Sequence, residues 1–127
     1  MIVVDASAAL TSLLNDGAAR TAVGRDRLHA PHLIDSEVAS GLRRRVRAGQ
    51  LSPAEGWNAL DALRRLGMTR YPAFILADRI WELRENLSAY DATYVALAEA
   101  LGCSLLTADT RISQAPRIRC SVTVVPR

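Results

Sequence analysis

Apolar residues along this chain alternate between short runs and longer periodic stretches. The short runs are Ile2-Val3-Val4, Leu28-His29-Ala30, Met68–Tyr71, Ser104-Leu105-Leu106-Thr107 and Val122–Val125. Their brevity and continuity suit strands buried on both faces, as in a parallel sheet. Pro31 and Pro72 are expected to stop two of them. Between the runs lie helical patterns. Ala6–Leu14 is rich in Ala and Leu, Asn15-Asp16-Gly17 breaks it, and Ala18–Arg25 resumes. Ile34, Val38, Leu42 and Val46 recur every four residues and predict a helix ending near Gly49, with Asp35 or Ser36 as its cap. Ser52-Pro53-Ala54-Glu55 is a capping box with proline at the first helical position. It opens a helix through Leu66 whose buried stripe reads Trp57, Leu60 and Leu63, closed by Gly67. Phe74–Arg84 is predicted helical, and Ser88–Leu101 is an Ala-rich helix closed by Gly102. A short helix is expected after Asp109. Strands separated by helices predict right-handed βαβ units, hence an α/β fold with a parallel sheet between helices. Ligands in such folds bind beyond the carboxyl ends of the strands.

Composition narrows the chemistry. At 127 residues the chain is expected to form a single domain spanning 1–127. Aromatic residues make up 5%, too few for a reader that stacks successive bases on aromatic platforms. All 16 basic residues are Arg, against 13 acids. The absence of Lys excludes a Walker-type phosphate lysine, a Schiff base and a phospho-aspartate site with a partner Lys. Cys103 and Cys120 form neither a zinc pattern nor a redox motif, and His29 and His32 lack a metal-binding context. The N-terminus lacks a signal-peptide pattern, and no apolar run approaches the ~20 residues of a membrane span. A cytoplasmic protein that does not engage membranes is expected.

Four acids remain as candidates. Asp5 follows the first strand, Asp109 follows the Ser104–Thr107 strand, and Glu37 and Asp91 fall in the first turns of their helices. Each taken alone reads equally well as a helix cap or a dipole partner. Together they are expected on one rim, because strand ends and helix starts share an edge in this architecture. Carboxylates converging there raise one another's pKa unless a cation sits among them. Hard oxygen donors suit Mg²⁺ or Mn²⁺, which can orient a phosphodiester and generate a hydroxide. Setting the four aside leaves 16 arginines against nine acids. Arg43, Arg44, Arg45 and Arg47 follow Glu37 on its helix and read either as an RNA-backbone contact or as a solvated face. Gly41, between them, gives clearance for a close approach or is merely tolerated.

Ile2-Val3-Val4-Asp5-Ala6-Ser7-Ala8, Ser36-Glu37-Val38, Tyr90-Asp91-Ala92 and Leu106-Thr107-Ala108-Asp109 resemble the PIN-domain nucleases. Length and element order are similar to the VapC-type toxins of bacterial toxin–antitoxin modules, over essentially the whole chain. The resemblance implies a three-layer sandwich around a parallel sheet of four to five strands, and an endoribonuclease using Mg²⁺ or Mn²⁺. It carries Asp5, Glu37, Asp91 and Asp109 onto the family's acidic quartet. Asp5 and Asp91 would contact the ion directly, while Glu37 and Asp109 would act through water. Thr107 either holds a carboxylate or simply closes its strand. A VapB-type antitoxin in the active groove, a homodimer and a toxin–antitoxin hetero-oligomer are also implied. The alternative is a PIN-like regulator that binds nucleic acid or protein without cutting. A phosphatase is disfavoured, because position 7 is Ser rather than a second acid and Lys is absent.

Overall fold

The computed structural model describes all 127 residues. In chain order the elements are β1 (Ile2–Val4), α1 (Ala6–Leu14), α2 (Ala18–Arg25), β2 (Leu28–Pro31), α3 (Leu33–Arg47), α4 (Pro53–Arg64) and β3 (Thr69–Tyr71). A 3₁₀ turn (Ala73–Leu76) then leads into α5 (Ala77–Glu82), α6 (Ala89–Leu101), β4 (Ser104–Thr107), α7 (Thr110–Gln114) and β5 (Val122–Val124).

The five strands form one sheet in the order β3-β2-β1-β4-β5, and every pairing is parallel. Helices flank it, giving the α/β sandwich expected. The chain builds outward from β1 on one side through β2 and β3, then crosses to β4 and β5 on the other. The order therefore reverses between β1 and β4, where Val4 lies in register with Leu106. This is the switch point at which open parallel sheets form a crevice beyond their strand ends.

The central strands are apolar because helices cover both faces: Val3, Val4, Leu105 and Leu106 have no exposed surface. In α6, Ala92 through Ala98 are all buried, so this helix is apolar all round and sits inside the molecule. Its Ser88 cap and the left-handed Gly102 at its end both follow the sequence pattern. Both halves of the capping box at Ser52 and Glu55 form.

Several expectations are corrected. α3 begins at Leu33 with no side-chain cap, and Asp35 instead forms a two-pronged pair with Arg70 at 2.7 and 2.8 Å. Pro31 lies within β2, as its last residue. Trp57 is exposed, since α4 turns Gly56, Ala59 and Leu63 inward. The Phe74–Arg84 segment splits into a 3₁₀ turn and a short helix. Gly41 does serve a close approach: a Cβ there would lie 2.5 Å from Leu10 Cδ1, so it lets α1 pack against α3.

Candidate active site

All four acids line one cavity of about 330 Å³ at the β1/β4 switch point. Asp5 follows β1 and caps α1, and the residue is 4% exposed, with both carboxylate oxygens engaged. Oδ1 accepts from Ser7 Oγ at 2.7 Å and from the Ala8 N–H at 2.9 Å, while Oδ2 accepts from Thr107 Oγ1. Thr107, with no exposed surface, also accepts from the Asp109 N–H at 3.0 Å. Ser7 Oγ accepts from the Ala108 N–H at 2.9 Å, a second tie between the two strand ends. Thr107 therefore does hold a carboxylate, besides closing its strand.

Glu37 projects from the second turn of α3 rather than the first, where the sequence pattern put it, because the helix already starts at Leu33. Its Oε1 accepts from Tyr94 Oη at 2.7 Å, and Tyr94 is 1% exposed. Burial and the bond to Glu37 hold the Tyr94 hydroxyl far above its ordinary pKa, which fixes it as the donor. Asp91 sits in the first turn of α6, one turn before Tyr94 on the same helix. Asp109 caps α7, accepts from the Arg111 N–H at 2.9 Å, and is gripped by the Arg111 guanidinium at 2.7–3.2 Å.

The electrostatics divide the four. Asp5, Glu37 and Asp91 all have raised pKa values, with burial as the largest cause. Like charge adds to each: Asp91 acts on Asp5, Asp91 and Asp5 act on Glu37, and Asp109 acts on Asp91. Asp109 is instead held below the usual range by Arg111. The donor set is hard oxygen throughout, which fits Mg²⁺ or Mn²⁺ and relieves the repulsion. No three His, Cys, Asp or Glu side chains lie close enough to share an ion directly. Mg²⁺ is commonly held by one or two carboxylates with waters completing its shell, so this separation is compatible with it.

α3 divides the arginine cluster. Arg44 and Arg45 line the acidic cavity, whereas Arg43 and Arg47 border a separate groove beside Trp57 and Pro53. Sequence reasoning missed Ser7, Tyr94, Arg111 and Arg127, which also line the acidic cavity. Ser7 and Tyr94 had a local signal, two residues from Asp5 and three from Asp91.

The split carries an expected result. On the RNA-backbone reading of these arginines, replacing Arg44 and Arg45 together by Ala should weaken RNA binding and flatten its salt dependence. The log–log slope should fall by roughly 0.7 for each single-strand phosphate that is no longer neutralised. Replacing Arg43 and Arg47 should leave the slope unchanged. Binding titrations across a salt series read both, and equal effects from the two pairs would contradict the division.

Residues 2–118 match the PIN domain model. The chain is 61% identical to ribonuclease VapC9 of Mycobacterium tuberculosis over 127 residues, covering all of both chains. It is 42% identical to ribonuclease VapC1 of that species, over 97% of this chain and 96% of the relative. Among solved structures, PAE2754 from Pyrobaculum aerophilum superposes with a TM-score of 0.72 at 23% identity, over 95% of this chain and 81% of the other. That likeness concerns the fold. The full-length identity and the domain match together place this chain in the PIN-domain family, among the VapC ribonucleases.

Proposed function

We propose that this protein is an endoribonuclease that cuts RNA with Mg²⁺ or Mn²⁺ and acts as the toxin of a toxin–antitoxin pair. The observation that carries the reading is the meeting of Asp5, Glu37, Asp91 and Asp109 in one cavity at the sheet's switch point, three of them with raised pKa values. The names of its relatives supply the reaction and the substrate class. Asp5 and Asp91 would hold the ion, which supplies a positive charge that orients the scissile phosphate and acidifies a bound water. Ser7, Thr107 and the Ala8 N–H fix Asp5 in place. The Tyr94 hydroxyl occupies Glu37 Oε1, leaving Oε2 to accept a proton from the attacking water. Arg44 and Arg45, which no carboxylate engages, hold the RNA backbone beside the cut.

A VapB-type antitoxin, a homodimer, a hetero-oligomer of the two proteins and a cytoplasmic location belong to the same proposal. No helix of the chain is long and apolar enough to cross a membrane. Trp57, Phe74, Ile75 and Trp81 are exposed, which is apolar surface of the kind protein contacts cover.

Incubating the purified protein with total RNA tests the activity. Cleavage should stop in EDTA and return with Mg²⁺ or Mn²⁺, because uncompensated carboxylates repel an incoming phosphate. Undiminished cutting in EDTA would refute the role given to the ion.

A further inference from the structure

Asp109 is the member of the quartet whose carboxylate a cation already holds. The Arg111 guanidinium meets it with two prongs, Nη2 to Oδ2 at 2.7 Å and Nε to Oδ1 at 3.0 Å. Its charge is also felt at Asp91. The two other arginines in the chain that fork onto both oxygens of one carboxylate are packed into place, unlike the exposed Arg64, which meets a single oxygen of Asp61. Arg70 on Asp35 and Arg79 on Glu99 have side chains 21% and 17% exposed. Arg111 has a side chain 84% exposed, while the Asp109 carboxylate it grips is 13% exposed. The guanidinium is thus held at its tip alone, at the rim of the cavity it shares with Asp5, Glu37 and Asp91.

A positive charge in this position does for Asp109, and more weakly for Asp91, part of what a divalent cation would do for all four acids. Nothing packs Arg111 there, so it can leave at small cost, since ion pairs made by an exposed side chain contribute little to stability. Its planar fork suits a phosphate as well as a carboxylate.

We propose that Arg111 is an exchangeable counter-ion of the acidic cavity. It neutralises Asp109 in the ion-free protein, releases that carboxylate when a divalent cation enters, and then holds a phosphate of the RNA. This role rests on the metal-dependent nuclease reading. It also differs from helix capping, because the cap of α7 is made by the Arg111 backbone N–H, which a substitution retains.

The test compares wild type with Arg111→Gln. Calorimetric titration of each protein with Mn²⁺, without RNA, should show the variant binding roughly fivefold more tightly, the gain from removing a competing exposed pair. In EDTA the variant should melt below wild type, and saturating Mn²⁺ should close that gap. A purely structural pair would leave the gap open. At saturating Mn²⁺ the variant's KM for RNA should rise, with a smaller change in kcat. Arg111→Lys keeps the charge without the fork and should fall between the two in Mn²⁺ affinity. Mn²⁺ binding no tighter than wild type overturns the proposal, as does an unchanged KM. Absence of Mn²⁺ binding by wild type and variant alike fails the metal reading itself, and this inference with it.

Discussion

Asp5→Asn should abolish RNA cleavage, by at least ~100-fold, while leaving the protein folded. The amide keeps the shape of the carboxylate and remains a good helix cap. Its oxygen can still accept from Ser7 and the Ala8 N–H, and its NH₂ can donate to Thr107 Oγ1. The loss is the negative charge that would hold the ion at the strand end. Charge stabilisation by a bound metal is worth several kcal/mol in the transition state, and each ~1.4 kcal/mol is a factor of ten in rate. Expression of the variant should no longer inhibit growth. Circular dichroism and gel-based cleavage on one preparation separate misfolding from inactivity. A folded variant that cuts normally would reduce Asp5 to a helix cap.

Thr107→Val carries the second large effect. The substitution keeps the volume of a side chain with no exposed surface but removes its hydroxyl. Asp5 Oδ2 then loses a donor, and the Asp109 N–H loses its acceptor. Leaving buried polar groups unpaired costs about 1–3 kcal/mol, which is several degrees of melting temperature in a domain of this size. Groups that orient metal-holding carboxylates also typically change ion affinity or activity by about 10–100-fold. The variant should therefore both melt lower and cut more slowly. Thr107→Ser restores the hydroxyl and should recover most of both. Loss of stability with unchanged activity would make Thr107 a strand-closing residue only.

The parts of the molecule readable from sequence are those written in local pattern. Val3-Val4 and Leu105-Leu106 announce central strands because helices cover both faces and leave no position for a polar residue. Ser52-Pro53 and Gly102 mark helix ends through backbone chemistry that acts within a few residues. The acids were legible as a group because three lie just past strand ends or in first helical turns, and parallel topology brings those places to one rim.

What stayed hidden depends on partners distant in sequence. Thr107 bonds Asp5 across 102 positions, and Tyr94 bonds Glu37 across 57. No local rule connects them. Asp35 reads as a cap until Arg70, 35 positions on, is seen to claim it. Trp57 illustrates a different limit. Periodicity fixed the helix, but Gly56, Ala59 and Leu63 form the inward stripe, one position away from the bulky residue that hydrophobicity favours. The arginine run divided for a similar reason, since neighbours on a helix point about 100° apart.

The most direct test of a converging, ion-holding quartet is a set of four thermal melts near pH 7, wild type and Asp5→Asn each with EDTA and with Mg²⁺. Burial raises the Asp5 carboxyl's pKa above its ordinary value, and Asp91 adds like charge. A raised carboxylate favours folding while it is protonated, and that contribution is lost as pH climbs through the raised value. Wherever the group is ionised in the ion-free protein, it therefore works against the fold. The account predicts that Asp5→Asn melts a few degrees above wild type in EDTA, the shift that about 1 kcal/mol produces at this size. It also predicts that Mg²⁺ raises wild type more than the variant, since binding to the native state adds stability by mass action. A variant that melts below wild type in EDTA, with no effect of Mg²⁺ on either protein, would contradict it.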